Sequence, residues 1–279
     1  MKQLPRISET LFCQPWCILP DVHSELVSSY RNYLTGSLPE MLSGSGAPSN
    51  GIVYEVNQDN TLAVIYLDGV IVKRAPDMLC GPKMIDLSTL DRLLQDVAMD
   101  SRIQTLVLYI DSPGGCGIGL EETTSFMADV RASGTRIVAY TDYLCASAGY
   151  WLAACADEII ASPSAQVGSI GTYVAALDDS KAWEMEGLKL KLFKDGAYKA
   201  MGHPGKAWTP DEEAFLQSRL NSWAADFKNH VRTCRPGIED STMEGQCFDG
   251  KSAPPMLIDS LARSLAEVLI RELEALEVA

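Results

Sequence analysis

From residue 51 onward, apolar runs of strand length alternate with stretches of helical periodicity, and this alternation constrains the fold more than any single residue does. "GIVYEV" (51–56) and "TLAVIYLDGVIV" (61–72) read as strands. "LSTLDRLLQDVAMD" (87–100) places Leu90, Leu93, Leu94 and Val97 on one helical face, and "QTLVLYID" (104–111) is a continuous apolar strand. A helix at about 118–132, the strand "RIVAYT" (136–141) and the strand "EIIAS" (158–162) follow. Alternation of this kind predicts largely parallel strands joined by right-handed crossovers, hence an α/β fold. "LKLKLF" (188–193) is expected to add one more strand. Thr209, Pro210 and Glu212 then form a capping box with proline at the first helical position, and Leu216, Leu220, Trp223 and Phe227 make the apolar stripe of that helix. A last helix, expected over about 257–277, carries Leu257, Ile258, Leu261, Leu265, Val268, Leu269, Leu273 and Leu276. Its wide apolar face either folds back on its own core or reaches a neighbouring subunit.

The alternation sets the division of the chain. Residues 43–50, "SGSGAPSN", lack periodicity and read as a linker. An N-terminal arm with one helix around "DVHSELVSSYRNYL" precedes it, giving an arm and linker over 1–50, a main domain over 51–255 and a C-terminal helix over 256–279. The 279 residues, 47% of them hydrophobic, suffice for a large core. A formal net charge of -14 argues against nucleic acid or an anionic membrane as partner. The first thirty residues hold Pro5, Arg6, Glu9, Pro15, Pro20, Asp21 and Glu25, so no secretory or membrane-spanning apolar run is expected there, and a cytoplasmic location follows. The eight cysteines are scattered singly and are expected to be reduced. Cys13 and Cys17 lack the second pair or nearby histidine that a metal site would need.

Four short stretches could carry chemistry. "YIDSPGG" (109–115) ends a buried strand in two glycines, which let backbone N–H groups approach a ligand. Ser147, in "CASAGYWLA", stands where a short buried helix would begin; it is either an ordinary helix cap or a nucleophile beside the unpaired N–H of Ala148. Cys145 reads better as a small buried thiol than as a rival nucleophile. "QVGSIGTYVA" sets Ser169 between Gly168 and Gly171. A serine needs a base. Of three histidines, His23 lies in the arm, His230 late in a helix and His203 in a Gly/Pro loop, so a histidine triad would rest on His203. The alternative is Lys199, set among Ala197, Tyr198, Ala200 and Met201 with Asp195 as the nearby carboxylate. A lysine accepts a proton at neutral pH only when its surroundings lower its ordinary pKa by several units, which apolar shelter does.

In order, "DSPGG", "CASAGYWLA", "VGSIG" and "DGAYK" resemble the signal peptide peptidase A (protease IV) family of Ser-Lys peptidases, which includes the minor capsid protein C type head-maturation proteases of tailed phages. The resemblance covers about residues 50 to 255. It implies a crotonase/Clp-protease-like fold of stacked ββα units, here with an N-terminal helical arm and C-terminal helices, often assembled into a ring. It implies Ser147 as nucleophile, Lys199 as general base, Ser169 as a hydroxyl that positions the lysine, and the Gly114 and Ala148 N–H groups as the oxyanion hole. No metal or organic cofactor is implied. The arm "LPRISETLFCQPWCILPDVHSELVSSYRNYL" looks more like phage protein C than like a membrane-anchored signal peptide peptidase. The partners implied are therefore peptide or protein substrates, capsid or scaffold proteins among them, in the host cytoplasm or prohead. Two departures stand out: the long scaffold-like extension of many phage relatives is absent, and Pro254 and Pro255 interrupt the usual turn. Rival functions are a general or signal-peptide-degrading peptidase, a crotonase-like acyl-CoA enzyme, and an inactive capsid-associated structural relative.

Overall fold

The computed structural model of the chain describes residues 16–35, 51–75 and 83–278. Its central sheet holds six strands: β2 (Ile52–Val56), β3 (Leu62–Asp68), β6 (Thr105–Asp111), β8 (Arg136–Thr141), β10 (Glu158–Ala161) and β13 (Ser260–Leu261). Their order is β13-β10-β8-β6-β3-β2, parallel except for the antiparallel edge pair β2 and β3.

The apolar runs are continuous because both faces of this sheet are covered. Ala63, Ile65, Leu67, Leu106, Leu108, Ile110, Ile137 and Ala139 point to the main core. Their sequence alternates Leu62, Val64, Val107, Val138 and Tyr140 point the other way, onto α7 (Leu265–Val278). The C-terminal helix therefore folds back on its own chain. It begins at Leu265 rather than near 257, because Leu257 is buried in the main core and Ser260–Leu261 pairs with β10.

A second layer is made of three-residue strands that sequence periodicity does not register. After β3 comes β4 (Val70–Val72), after β6 comes β7 (Gly114–Cys116), after β8 comes β9 (Leu144–Ala146), and after β10 comes β11 (Gln166–Gly168). Three of these pairs lead into a helix: α2 (Leu87–Met99, by way of β5, Met84–Asp86), α3 (Leu120–Ala132) and α4 (Ala148–Ala154). This is a mixed α/β fold of stacked ββα units, as expected. The short strands form two sheets, β1-β7-β4-β5 and β12-β11-β9, where β1 is Trp16–Ile18 and β12 is Cys247–Asp249. A parallel bridge between Ser112 and Cys145 links them.

The arm helix forms as α1 (Pro20–Thr35), while the linker over 43–50 and Cys13 lie outside the described residues. Residues 188–193 are not a strand. Leu188, Leu190 and Leu192 alternate with lysines, but no neighbouring strand offers hydrogen bonds, and the run stays largely exposed. Between Ile170 and Glu212 no residue is buried; the stretch includes α5 (Ser180–Met185). The chain regains order at α6 (Pro210–Cys234), whose Thr209–Glu212 capping box is present in full. The six cysteines among the described residues are free thiols.

Candidate active site

Ala146 and Gly168 are paired partners at the ends of β9 and β11, so the residues that follow them, Ser147 and Ser169, emerge side by side. Both have left-handed backbones, with φ of 54° and 50°. For a residue with a side chain, such a conformation costs about 1–3 kcal/mol and persists only where its surroundings impose it. Here the Ser147 N–H donates to the Gly168 carbonyl at 2.8 Å, and the Ser169 N–H donates to the Gln246 carbonyl at 2.8 Å.

Ser147 is 1% exposed and stands directly before α4. The cap reading fails, because with φ of 54° and ψ of -114° the hydroxyl makes no capping hydrogen bond. A sharp strand-to-helix turn that spends its serine on nothing structural is how nucleophilic serines are presented. The helix is only seven residues long, so any assistance to an anion comes from the nearby N–H of Ala148 more than from a macrodipole.

Gly114 closes the other side. Its φ is 99°, and a Cβ there would stand 2.0 Å from the Cys17 carbonyl oxygen, 2.9 Å from Ser147 Cβ and 3.0 Å from the Ala148 nitrogen. Only glycine lets these three backbones meet. The turn before it is held by Ser112, a residue whose importance the sequence did not disclose. Its buried hydroxyl donates to the Gly69 carbonyl at 2.7 Å and accepts from the Gly114 N–H at 3.2 Å. Ser112 also exchanges backbone bonds with β9, N–H to the Leu144 carbonyl at 2.7 Å and carbonyl from the Ala146 N–H at 3.0 Å. A hydroxyl directly before a Pro-Gly-Gly turn was the available signal.

Ser147, Ser169, Gly114 and Ala148 are thus brought together. Lys199 is not brought into that buried pocket: it is exposed, its N–H donates to the Gly196 carbonyl at 3.2 Å, and its neighbour Tyr198 stacks on Phe215 of α6 at 4.4 Å. The apolar shelter expected around its amine is missing in the single chain, because the segment that carries it has no core of its own. The alternative base fares no better, since His203 is also exposed and its Nδ1 engages the adjacent Pro204 carbonyl at 2.8 Å. Cys145 is fully buried and burial pushes its thiol up, which makes it a poor nucleophile. Burial also pushes the Cys247 thiol up, partly offset by a hydrogen bond from Ser169.

A second cluster lies at the far end of α4 from Ser147. Cys155 Sγ is 3.3 Å from His230 Nε2 and 3.8 Å from Cys234 Sγ, and the His230 ring stacks on Trp151 at 4.8 Å. Soft donors converging like this resemble a zinc ligand set, but His230 Nε2 is also 3.1 Å from the Trp151 carbonyl, so the group satisfies itself internally. The i, i+4 spacing of His230 and Cys234 was legible; the third member, 75 residues from His230, was not.

Across its whole length the chain is 25% identical to the capsid assembly protease C of Escherichia phage lambda, of which the match covers 66%. It is 33% identical to protease 4 of Salmonella typhi, over 72% of this chain and 32% of that one. Among solved structures it is similar to an enoyl-CoA hydratase from Shewanella pealeana, with 12% identity and a TM-score of 0.44 over 81% of this chain and 74% of that one. The chain thus spans about two thirds or less of the curated relatives it matches. The model of peptidase family S49 matches residues 129–273, from the end of α3 through both serine turns to α7, and the chain belongs to that family.

Proposed function

We propose that this protein is a serine endopeptidase that hydrolyses peptide bonds in extended polypeptides, with Ser147 as nucleophile and Lys199 as general base. The observation that carries the reading is the buried, left-handed Ser147 with Gly114 and the Ala148 nitrogen against it. The amine of Lys199 accepts the Ser147 proton as the hydroxyl oxygen attacks the scissile carbonyl. The resulting oxyanion is held by the Ala148 N–H and by the Gly114 N–H, which exchanges its long bond to Ser112 for a charged partner. Lysine then protonates the leaving amine, and water hydrolyses the acyl-enzyme. Ser169, beside Ser147, orients the amine.

Lys199 reaches this pocket through assembly. The same segment presents Met185 at 89% exposure and Phe193 at 93%, with Leu177, Leu188 and Tyr198 also uncovered. Large apolar side chains left this open suit a contact between subunits. A homo-oligomeric ring would cover it and withdraw the amine from water. The likeness to a phage capsid assembly protease over the full chain supports a role in capsid maturation, in the host cytoplasm or prohead. Among the described residues no helix is long and apolar enough to cross a membrane.

The test is cleavage of unstructured proteins by the wild type and by Ser147→Ala, Lys199→Ala and His203→Ala, together with fluorophosphonate labelling of Ser147. Loss in the first two and retention in the third is expected. Loss with His203→Ala and retention with Lys199→Ala would replace the dyad by a triad.

A further inference from the structure

Strand β1 sits in an unusual place. It is three residues long and lies between β7, which begins at Gly114, and the backbone of Tyr173. On one side it runs antiparallel to β7, with Ile18 opposite Gly114, Cys17 opposite Gly115 and Trp16 opposite Cys116. On the other side the Trp16 N–H donates to the Tyr173 carbonyl at 3.0 Å, and the Tyr173 N–H donates to the Trp16 carbonyl at 3.1 Å. Beyond the strand, the Leu19 N–H donates to the Pro113 carbonyl at 3.0 Å. The strand passes against Gly114: the Cys17 carbonyl oxygen is the atom nearest the vacant side-chain position of Gly114, which Ser147 Cβ and the Ala148 nitrogen also flank.

Take β1 away, and two backbones, Gly114–Cys116 and Tyr173, face each other across a gap one strand wide. An incoming extended peptide completes such a slot through main-chain hydrogen bonds and is read by its alternate side chains. The side chains of β1 are held as a reader would hold them. Trp16 is 2% exposed and Ile18 3%, packed with Val70, Cys116, Val22, Val72 and Tyr173. The Trp16 ring lies 5.2 Å from that of His23.

We infer that the chain's own Trp16–Ile18 segment is the resident occupant of the substrate slot, blocking the nucleophile until it is displaced or cut, and that the slot takes extended segments with a large aromatic residue followed two positions later by a branched aliphatic one. This rests on Ser147 being the nucleophile. A slot free for only about 1–10% of the time lowers apparent substrate affinity by about 10- to 100-fold. Displacement by a competing segment, for example from a packed substrate protein, relieves that block.

The experiment compares the wild-type chain with Ile18→Ala and with Trp16→Ala/Ile18→Ala, each checked by thermal unfolding. A fluorescent peptide spanning Gln14 to Asp21 reads the slot directly and needs no catalysis. Ile18→Ala serves if the double variant does not fold. Peptide affinity at least about tenfold higher in the weakened variants, with a matching rise in cleavage of an unstructured protein, is the expected result. Equal peptide affinity in wild type and variants, or reduced cleavage in a variant that folds normally, overturns the proposal and makes β1 a permanent wall. If peptide affinity rises but no chain cleaves anything, the slot assignment stands and the catalytic reading of Ser147 falls.

Discussion

The serine side and the lysine side of this site are built in opposite ways. Ser147 is pinned by backbone hydrogen bonds to Gly168 and Trp151, buried, and held in a conformation that it would not adopt alone. Lys199 lies on a stretch of about forty residues without one buried member, which leaves Met185 and Phe193 facing solvent. One half of the proposed dyad is finished by folding, and the other is left exposed in the single chain. Strain can be stored where packing imposes it, whereas proton transfer needs a partner that assembly can supply or withhold.

The comparison breaks most directly at its two ends. Ser147→Ala and Lys199→Ala should each lower proteolysis by about 1,000-fold or more while leaving the fold intact, measured by turnover and circular dichroism. If the lysine arrives from a neighbour, mixing the two inactive variants restores part of the activity; if it swings in from its own chain, the mixture stays inactive. Next, Gly114→Ala forces a methyl group against the Cys17 carbonyl and Ser147, so activity should fall by about 100-fold or more with a lowered melting temperature. Phe193→Asp sharpens the other half: the particle seen by light scattering should become smaller and activity drop by about tenfold, with monomer unfolding unchanged. A smaller effect is chemical. The hydrogen bond from Cys155, with His230 close by, holds the Cys234 thiol well below the ordinary range, which favours its thiolate. Iodoacetamide should modify it before any other described cysteine, its rate falling as the pH drops toward 5, the point at which the thiolate is protonated. The mildest is Thr209→Ala, which removes one cap from α6 and should cost about 1 kcal/mol, read as a melting shift of about 2–4 °C.

Much of the finished half was legible. β3, β6 and β8 are covered on both faces, so their sequences are apolar throughout and announce themselves. Ser147, Ser169 and Gly114 stood in ordered motifs, and the structure sets them together. β4, β7, β9 and β11 were hidden because three residues are too few to show a period. "LKLKLF" misled for the converse reason: it has the period of a strand and no partner to pair with. The exposure of Lys199 could not be read locally, since shelter depends on what packs over a segment and not on its composition. Trp16–Ile18 escaped notice because its register is set by Gly114–Cys116, almost a hundred positions away.

The coupling of β9 to β11 has a temporal consequence. The carbonyl of Gly168 that fixes the backbone of Ser147 becomes available only when the β10–β11 strand pair has docked on the unit that carries β9, and parallel pairings of this kind form slowly. A nascent or half-collapsed chain therefore has a serine but no primed alcohol. On the proposed reading of Ser147, the protein becomes capable of cutting others only when little of itself remains uncollapsed and open to attack.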